Sequence, residues 1–196
     1  MPEALLSFAT GLALSTAAGF NAYIPLLVTG ILARTTGLVS LEAPFDRLEE
    51  PVVLGVIAAI GAVDFVGDKI PAVDHVLHTV GLILAPVAGA FLALGVASDS
   101  GVVPAVALVS GGIAAGATQG ARATVRPLST VATGGVGNPV LSLGEDGFSA
   151  TLSLAAIVVP IVALVLAVVA LVLMVVAIRR FRRAVRSRTG QPRPPT

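Results

Sequence analysis

The chain has 196 residues, of which 56% are hydrophobic and only 12% charged, and its mean hydropathy is +0.98. An ordinary soluble domain carries about 25% charged residues, so this composition excludes a typical globular surface and fits one membrane domain of roughly five or six helices. The formal charge of +1 hides a split, because seven of the 12 cations are arginines between Arg179 and Arg193, while the preceding five face 11 acids. There is no cysteine, hence no disulfide, thiolate nucleophile or thiolate metal site. With no tryptophan and one tyrosine, a marked aromatic belt is missing too.

Met1-Pro2-Glu3 has no positive n-region and leads into an apolar stretch without an obvious cleavage site, so the first helix is expected to be retained. Hydropathy gives five segments: about 4–33, 52–66, 76–97, 102–123 and 150–178. The loop from Thr35 to Pro51 is acidic and carries Arg47. The stretch from Thr124 to Gly147, with Gly134-Gly135 and Gly137-Asn138-Pro139, is expected to be a long connection. The last segment carries an almost unbroken apolar run from Val158 to Ile178 and stops at Arg179-Arg180-Phe181-Arg182-Arg183. About 20 apolar residues cross the ~30 Å hydrocarbon core, and clustered arginines mark the cytoplasmic end of a span. Directly after such a helix, contact of Arg179, Arg180, Arg182 and Arg183 with anionic lipid headgroups is favoured over nucleic acid. The expected organisation is one helical domain over residues 1–183 and a disordered cytoplasmic tail over 184–196.

Five spans with the arginine tail inside put the N-terminus outside. Arg34 and Arg47 then fall inside, and Lys69, Arg122 and Arg126 toward the outside, which conflicts with the positive-inside rule unless those three are held within the bundle. In lipid, small residues at four-residue spacing mark helix interfaces. Three such stripes occur: Gly11, Ser15, Gly19; Gly81, Ala85, Gly89, Ala93, Ala97; and Gly112, Gly116, Gly120. The last segment lacks one and reads as lipid-facing. Segments one and four each meet a polar stretch ending in proline, Gly19-Phe20-Asn21-Ala22-Tyr23-Ile24-Pro25 and Gln119 to Pro127. Paired interrupted helices in inverted halves are a pointer to a transporter site. The alternative for segment one is a single tilted helix with a proline kink.

The densest polar stretch runs from Asp64 to His78. Asp64 and Asp68 are four residues apart, as are Asp74 and His78, with Lys69 and His75 between them. Two carboxylates and two histidines can hold a cation or pass a proton, but the ligands straddle Gly67 and Pro71 and no zinc spacing is present. The alternative is a solvated interfacial loop in which Asp74 caps the third helix. Asp64 follows an apolar run, and a charge at membrane depth costs ~2.5–3.5 kcal/mol or more, so it needs a partner or a cavity. Arg122 and Arg126, one helical turn apart, supply partners, and Glu145 and Asp146 fall on the same side. A network of Asp64, Asp68, Lys69, Arg122, Arg126 and Glu145 is expected, either as a structural cluster or as an ion or solute site that Asn21 helps to line. Two arginines can also bind a phosphate.

The stretches Asp68-Lys69-Ile70-Pro71-x-Val73-Asp74-His75, Arg122-Ala123-x-x-Arg126-Pro127 and Ser142-x-x-Glu145-Asp146-Gly147 together resemble an uncharacterised bacterial integral-membrane domain family, over about 5–183. The resemblance implies a small helical inner-membrane protein and supplies no activity. The residues show no enzyme signature: Ser142 and Ser149 lack a neighbouring histidine, and Gly134-Gly135-Val136-Gly137 is not followed by the Lys-Ser/Thr of a phosphate loop. No cofactor or metal is implied. Two main functions remain open, a small transporter or channel for an ion or solute, and a non-catalytic scaffold, assembly or lipid-organising protein, with an intramembrane hydrolase as a lesser alternative. A pore or carrier of this size is expected to work as a homodimer.

Overall fold

The computed structural model describes residues 2–67, 71–98 and 100–188. Among these, the chain is all-helical, with seven α-helices and no strand: α1 Pro2–Phe20, α2 Tyr23–Thr36, α3 Pro51–Gly67, α4 Pro71–Ala97, α5 Pro104–Thr133, α6 Asn138–Val158 and α7 Pro160–Arg188. A short 3-10 turn, Phe45–Glu49, lies before α3.

The surface is inside-out relative to a soluble protein. Val52, Val56, Ile60 and Val63 of α3 are exposed, as are Ile83 and Val87 of α4 and most of the valines and leucines of α7. The core is built from Ala9, Ala13, Ala17, Ala88, Ala115, Ala156, Ala163 and Ala167 with a few leucines. Small residues inside and large apolar residues outside is the arrangement expected when lipid is the solvent. Among the described residues, three helices are long and apolar enough to cross a membrane, Pro2–Phe20, Thr79–Ala97 and Pro160–Arg180, and only 11% of the last is buried.

Helix α1 is central and packs against α4, α5, α6 and α7. The stripe on α1 meets that on α4: Gly11 lies against Ala93, and the Ser15 hydroxyl donates to Gly89 O at 2.7 Å while also contacting Gly11 O in its own helix. On α5 the close approach is made by Gly111 and Ala115, which face Gly89 and Ala93. The expected α5 stripe is therefore displaced by one residue. Gly112 and Gly116 face Pro86 at ordinary van der Waals distance, and Gly120 meets nothing.

Segment one is two helices, not one kinked helix, and Asn21 explains why. Pro25 has no N–H, so the helical donor to Asn21 O is missing; the Ser149 hydroxyl approaches that carbonyl at 3.4 Å and donates to Ala17 O at 2.9 Å. The first donors of α2, the N–H groups of Tyr23 and Ile24, bond to Asn21 Oδ1 at 3.0 and 3.3 Å. Segment four behaves differently, because α5 runs through Pro127 to Thr133 and stops at Gly134 and Gly135, whose φ values of 63° and 88° are left-handed. The expected pairing of interrupted helices in segments one and four is thus not what the structure contains.

The expected long connection from Thr124 to Gly147 is mostly helix, shared between the end of α5 and the start of α6. Segment five also splits, at Val159, whose backbone (φ −140°, ψ 68°) leaves the helical region before Pro160 and ends α6. Its first part is no lipid-facing helix: Ser149, Leu152, Ser153 and Ala156 are fully buried. Residues 189–196 of the expected tail lie outside the described residues, and α7 continues to Arg188.

Cavity linings group the helix ends. Glu3, Leu38, Val96, Ser100, Ile157 and Pro160 surround one cavity, which brings together the ends of α1, α2, α4, α6 and α7. Asn21, Asp64, Leu77 and Arg126 surround another at the opposite end. The seven helices therefore alternate in direction. Arg122, Arg126 and the basic end of α7 share one end, whereas Arg34 and Arg47 lie at the other, reversing the expected grouping. Because two segments split rather than one, the first and last helix ends still fall at opposite ends of the bundle. Reporters fused at Met1 and at Thr196 are expected to read opposite sides of the membrane. Identical readings would mean that one split segment does not cross as two helices.

Candidate functional site

The arginine end is organised by α5 and α6. Arg122 and Arg126 sit one turn apart on the same face of α5, and both reach the same oxygen: Arg122 Nη2 lies 2.7 Å and Arg126 Nη2 2.9 Å from Glu145 Oε2. All three side chains are more than nine-tenths buried. Arg122 Nη1 also donates to Gln119 Oε1 at 2.9 Å and approaches Gly19 O, at the end of α1, at 3.4 Å. Next along α6, Asp146 Oδ1 accepts from Asn21 Nδ2 at 2.8 Å. Adjacent acids on one helix thus engage different elements, Glu145 holding α5 and Asp146 holding the α1–α2 junction.

In front of this network lies a small cavity of about 40 Å³, lined on its polar side by Asn21, Tyr23, Asp64, Gln119, Arg122 and Arg126 and on its apolar side by Leu77, Val80 and Leu84 of α4. That volume suits one or two water-sized particles. Tyr23 reaches it across Gly61 of α3, where a Cβ would come within 3.1 Å of the tyrosine Cβ. Gly81 does the same for Gln119, whose Nε2 would lie 2.6 Å from an added Cβ.

Of the residues singled out in the sequence, Asn21, Tyr23, Asp64, Arg122 and Arg126 face this cavity. Glu145 and Asp146 stand behind the arginines and Asn21 as their partners. Of the expected network, Glu145 of α6 is the carboxylate bonded by both arginines. Asp68 and Lys69 lie outside the described residues. Asp74 and His75 fall in the first turns of α4, and their side chains lie outside the described residues as well. Among the described residues, no group of three or more His, Asp or Glu is placed to hold a metal ion.

In the sequence, Gln119 stands at the start of the polar stretch of segment four and Ser149 is weighed only as a nucleophile, so neither stands among the candidate site residues. A signal for Ser149 was present: Ser142, Glu145, Asp146, Ser149 and Ser153 recur at three- and four-residue spacing and are all buried on α6. Their spacing is that of one helix face. In a soluble helix such a stripe faces water; here Val140, Leu143, Leu154 and Val158 are exposed and the polar stripe faces the bundle.

The class defined by these features is a helical protein whose apolar helices fit a bilayer and which buries Arg122, Arg126, Glu145 and Asp146 together. The chain belongs to the family described as Domain of unknown function (DUF4126), which matches residues 8–180 and so includes all three motif stretches. No curated protein and no solved structure matches it.

Proposed function

We propose that this chain is a multi-pass inner-membrane protein that takes a small ion or solute into the Asp64–Arg122–Arg126 cavity and passes it across the bilayer. The observation that carries this reading is the cavity itself. Titratable side chains at membrane depth are costly and usually mark a pathway or site, and here three of them converge on a space of about 40 Å³. A second cavity of about 350 Å³ lies at the opposite end, lined by Glu3, Ser7, Thr10 and Ser100. The bundle also contains one buried apolar cluster that includes Leu14, Ala88, Leu92 and Ala115. Two chambers separated by helices that touch through glycine and alanine is a geometry that alternating access can use.

The basic end of α7 favours a cytoplasmic C-terminus and an external N-terminus, with Arg179, Arg180, Arg182 and Arg183 against anionic headgroups. A homodimer would enlarge the enclosed path. The reading assigns no catalytic step, metal or cofactor.

One observation favours the second reading, a non-catalytic scaffold or assembly component. Asn21, Arg122, Arg126 and Glu145 all make bonds that tie α1, α5 and α6 together. Ion and solute flux in proteoliposomes, measured beside thermal stability on the same preparations, separates the two. With a transport role, Asp64→Asn should reduce flux to the level of protein-free vesicles while the melting temperature is kept or raised. A large fall in stability, with no wild-type flux of any tested ion, would support the scaffold instead.

A further inference from the structure

Beside the polar network, on the outer side of α6, lies a feature that transport does not use. It is an open apolar groove of about 1320 Å³ between α5, α6 and α7. Its walls are Val125 of α5, Val140 and Phe148 of α6, and Leu173 and Met174 of α7. One end is closed where Phe148 meets Phe20 edge-on, with ring centroids 4.9 Å apart. The other end opens beside the Gly134–Gly137 turn and Ile178.

We infer that this groove holds one acyl chain of an anionic membrane phospholipid, with the lipid phosphate on Arg179 and Arg180. Length supports this occupant. From Gly137 to Phe148 the groove follows α6 for 11 residues, about 16 Å at 1.5 Å per residue. That is about half of the ~30 Å hydrocarbon core, the depth of a single leaflet. Charge supports it as well. Arg179 and Arg180 are exposed, and they follow Ile178, which lines the open end. Basic residues at that level attract anionic headgroups. Glu145 borders the groove, but its Oε2 is bonded by both buried arginines, so this wall offers no free negative charge at that oxygen to repel a phosphate. The inference rests on the membrane reading above and not on transport, so a protein without flux can still satisfy it.

Gly144 provides a clean test. It lines the groove, and a Cβ added there meets nothing within 4 Å. A phenylalanine at this position fills the groove without entering the bundle and removes a helical glycine. Native mass spectrometry of the full-length protein in mild detergent would be run with equal phosphatidylglycerol and phosphatidylcholine. Wild type should retain one phosphatidylglycerol with about thirtyfold preference over phosphatidylcholine, as expected for two interfacial arginines. Gly144→Phe should lower retention of either lipid about tenfold, because chain burial is lost. Arg179→Ala with Arg180→Ala should erase the headgroup preference while keeping chain retention. Glycerol phosphate should not compete. Equal retention of both lipids by wild type, or no effect of Gly144→Phe, overturns the inference. So does competition by glycerol phosphate, which would mean a headgroup-only site, or conversion of a wild-type dimer to a monomer by Gly144→Phe, which would make the groove a contact between copies.

Discussion

Glu145→Ala is expected to be the most damaging single change at the arginine end, costing about 3–5 kcal/mol of stability, because it removes the carboxylate that two buried cations share. Both Arg122 and Arg126 bond to one oxygen, Glu145 Oε2. Arg122→Ala should cost less, since Arg126 still neutralises the carboxylate, and Arg126→Ala should resemble it. Glu145→Gln combined with Arg122→Gln should recover part of the loss, because charge is removed from both sides. Thermal unfolding in detergent would give this order. A cycle of Arg122 with Glu145 should show a coupling of about 0.5–3 kcal/mol, larger than the same cycle with Asp64. If the Asp64 coupling is the larger, the assignment of the partner is wrong.

A second large effect is expected where α1, α4 and α5 meet. A Cβ at Gly89 would lie 2.5 Å from Ala115 Cβ and 2.8 Å from Gly111 O. The nearest obstacles include backbone, which no side-chain rotation can move aside, and overpacking of this kind typically costs about 1–3 kcal/mol. Gly89→Ala should therefore lower the melting temperature clearly. Gly120→Ala is the informative contrast: nothing lies within 4 Å of its added Cβ, so replacing a helical glycine should be neutral or gain up to about 1 kcal/mol. Both glycines belong to four-residue stripes in the sequence, so equal effects would mean that the stripe alone, and not the packing, decides.

The difference between those two glycines shows how far a linear reading reaches. Spacing identifies the faces that can approach closely, and it did so for Gly11, Ser15 and Gly89. On α5 it selected Gly112, Gly116 and Gly120 where the contact is made by Gly111 and Ala115. Adjacent residues on a glycine-rich helix carry nearly the same local signal, and the rotation of the helix about its axis is set by its neighbours. The same limit applies to proline. Pro25 and Pro127 look alike in sequence, but the chain breaks before Pro25, where Asn21 Oδ1 accepts from the first N–H groups of the next helix and the Ser149 hydroxyl approaches the freed carbonyl. At Pro127 the helix continues, held by two arginines anchored on Glu145.

By itself the sequence determined the class: an all-helical chain with apolar segments suited to a bilayer, a basic end, and a small set of charges of which Arg122, Arg126 and Glu145 come together. Hydropathy is legible along the chain because each residue meets its solvent individually, and an apolar run is apolar whatever packs beside it. Tertiary structure decided that one oxygen of Glu145 serves both arginines, that α6 begins at Asn138 rather than near Ala150, and that Arg34 and Arg47 lie opposite the basic end of α7. The physical reason is the same in each case. A buried polar group is satisfied by whichever partner the fold brings within about 3 Å. For Asn21 that partner is Asp146, 125 residues away, a separation on which local pattern carries no information.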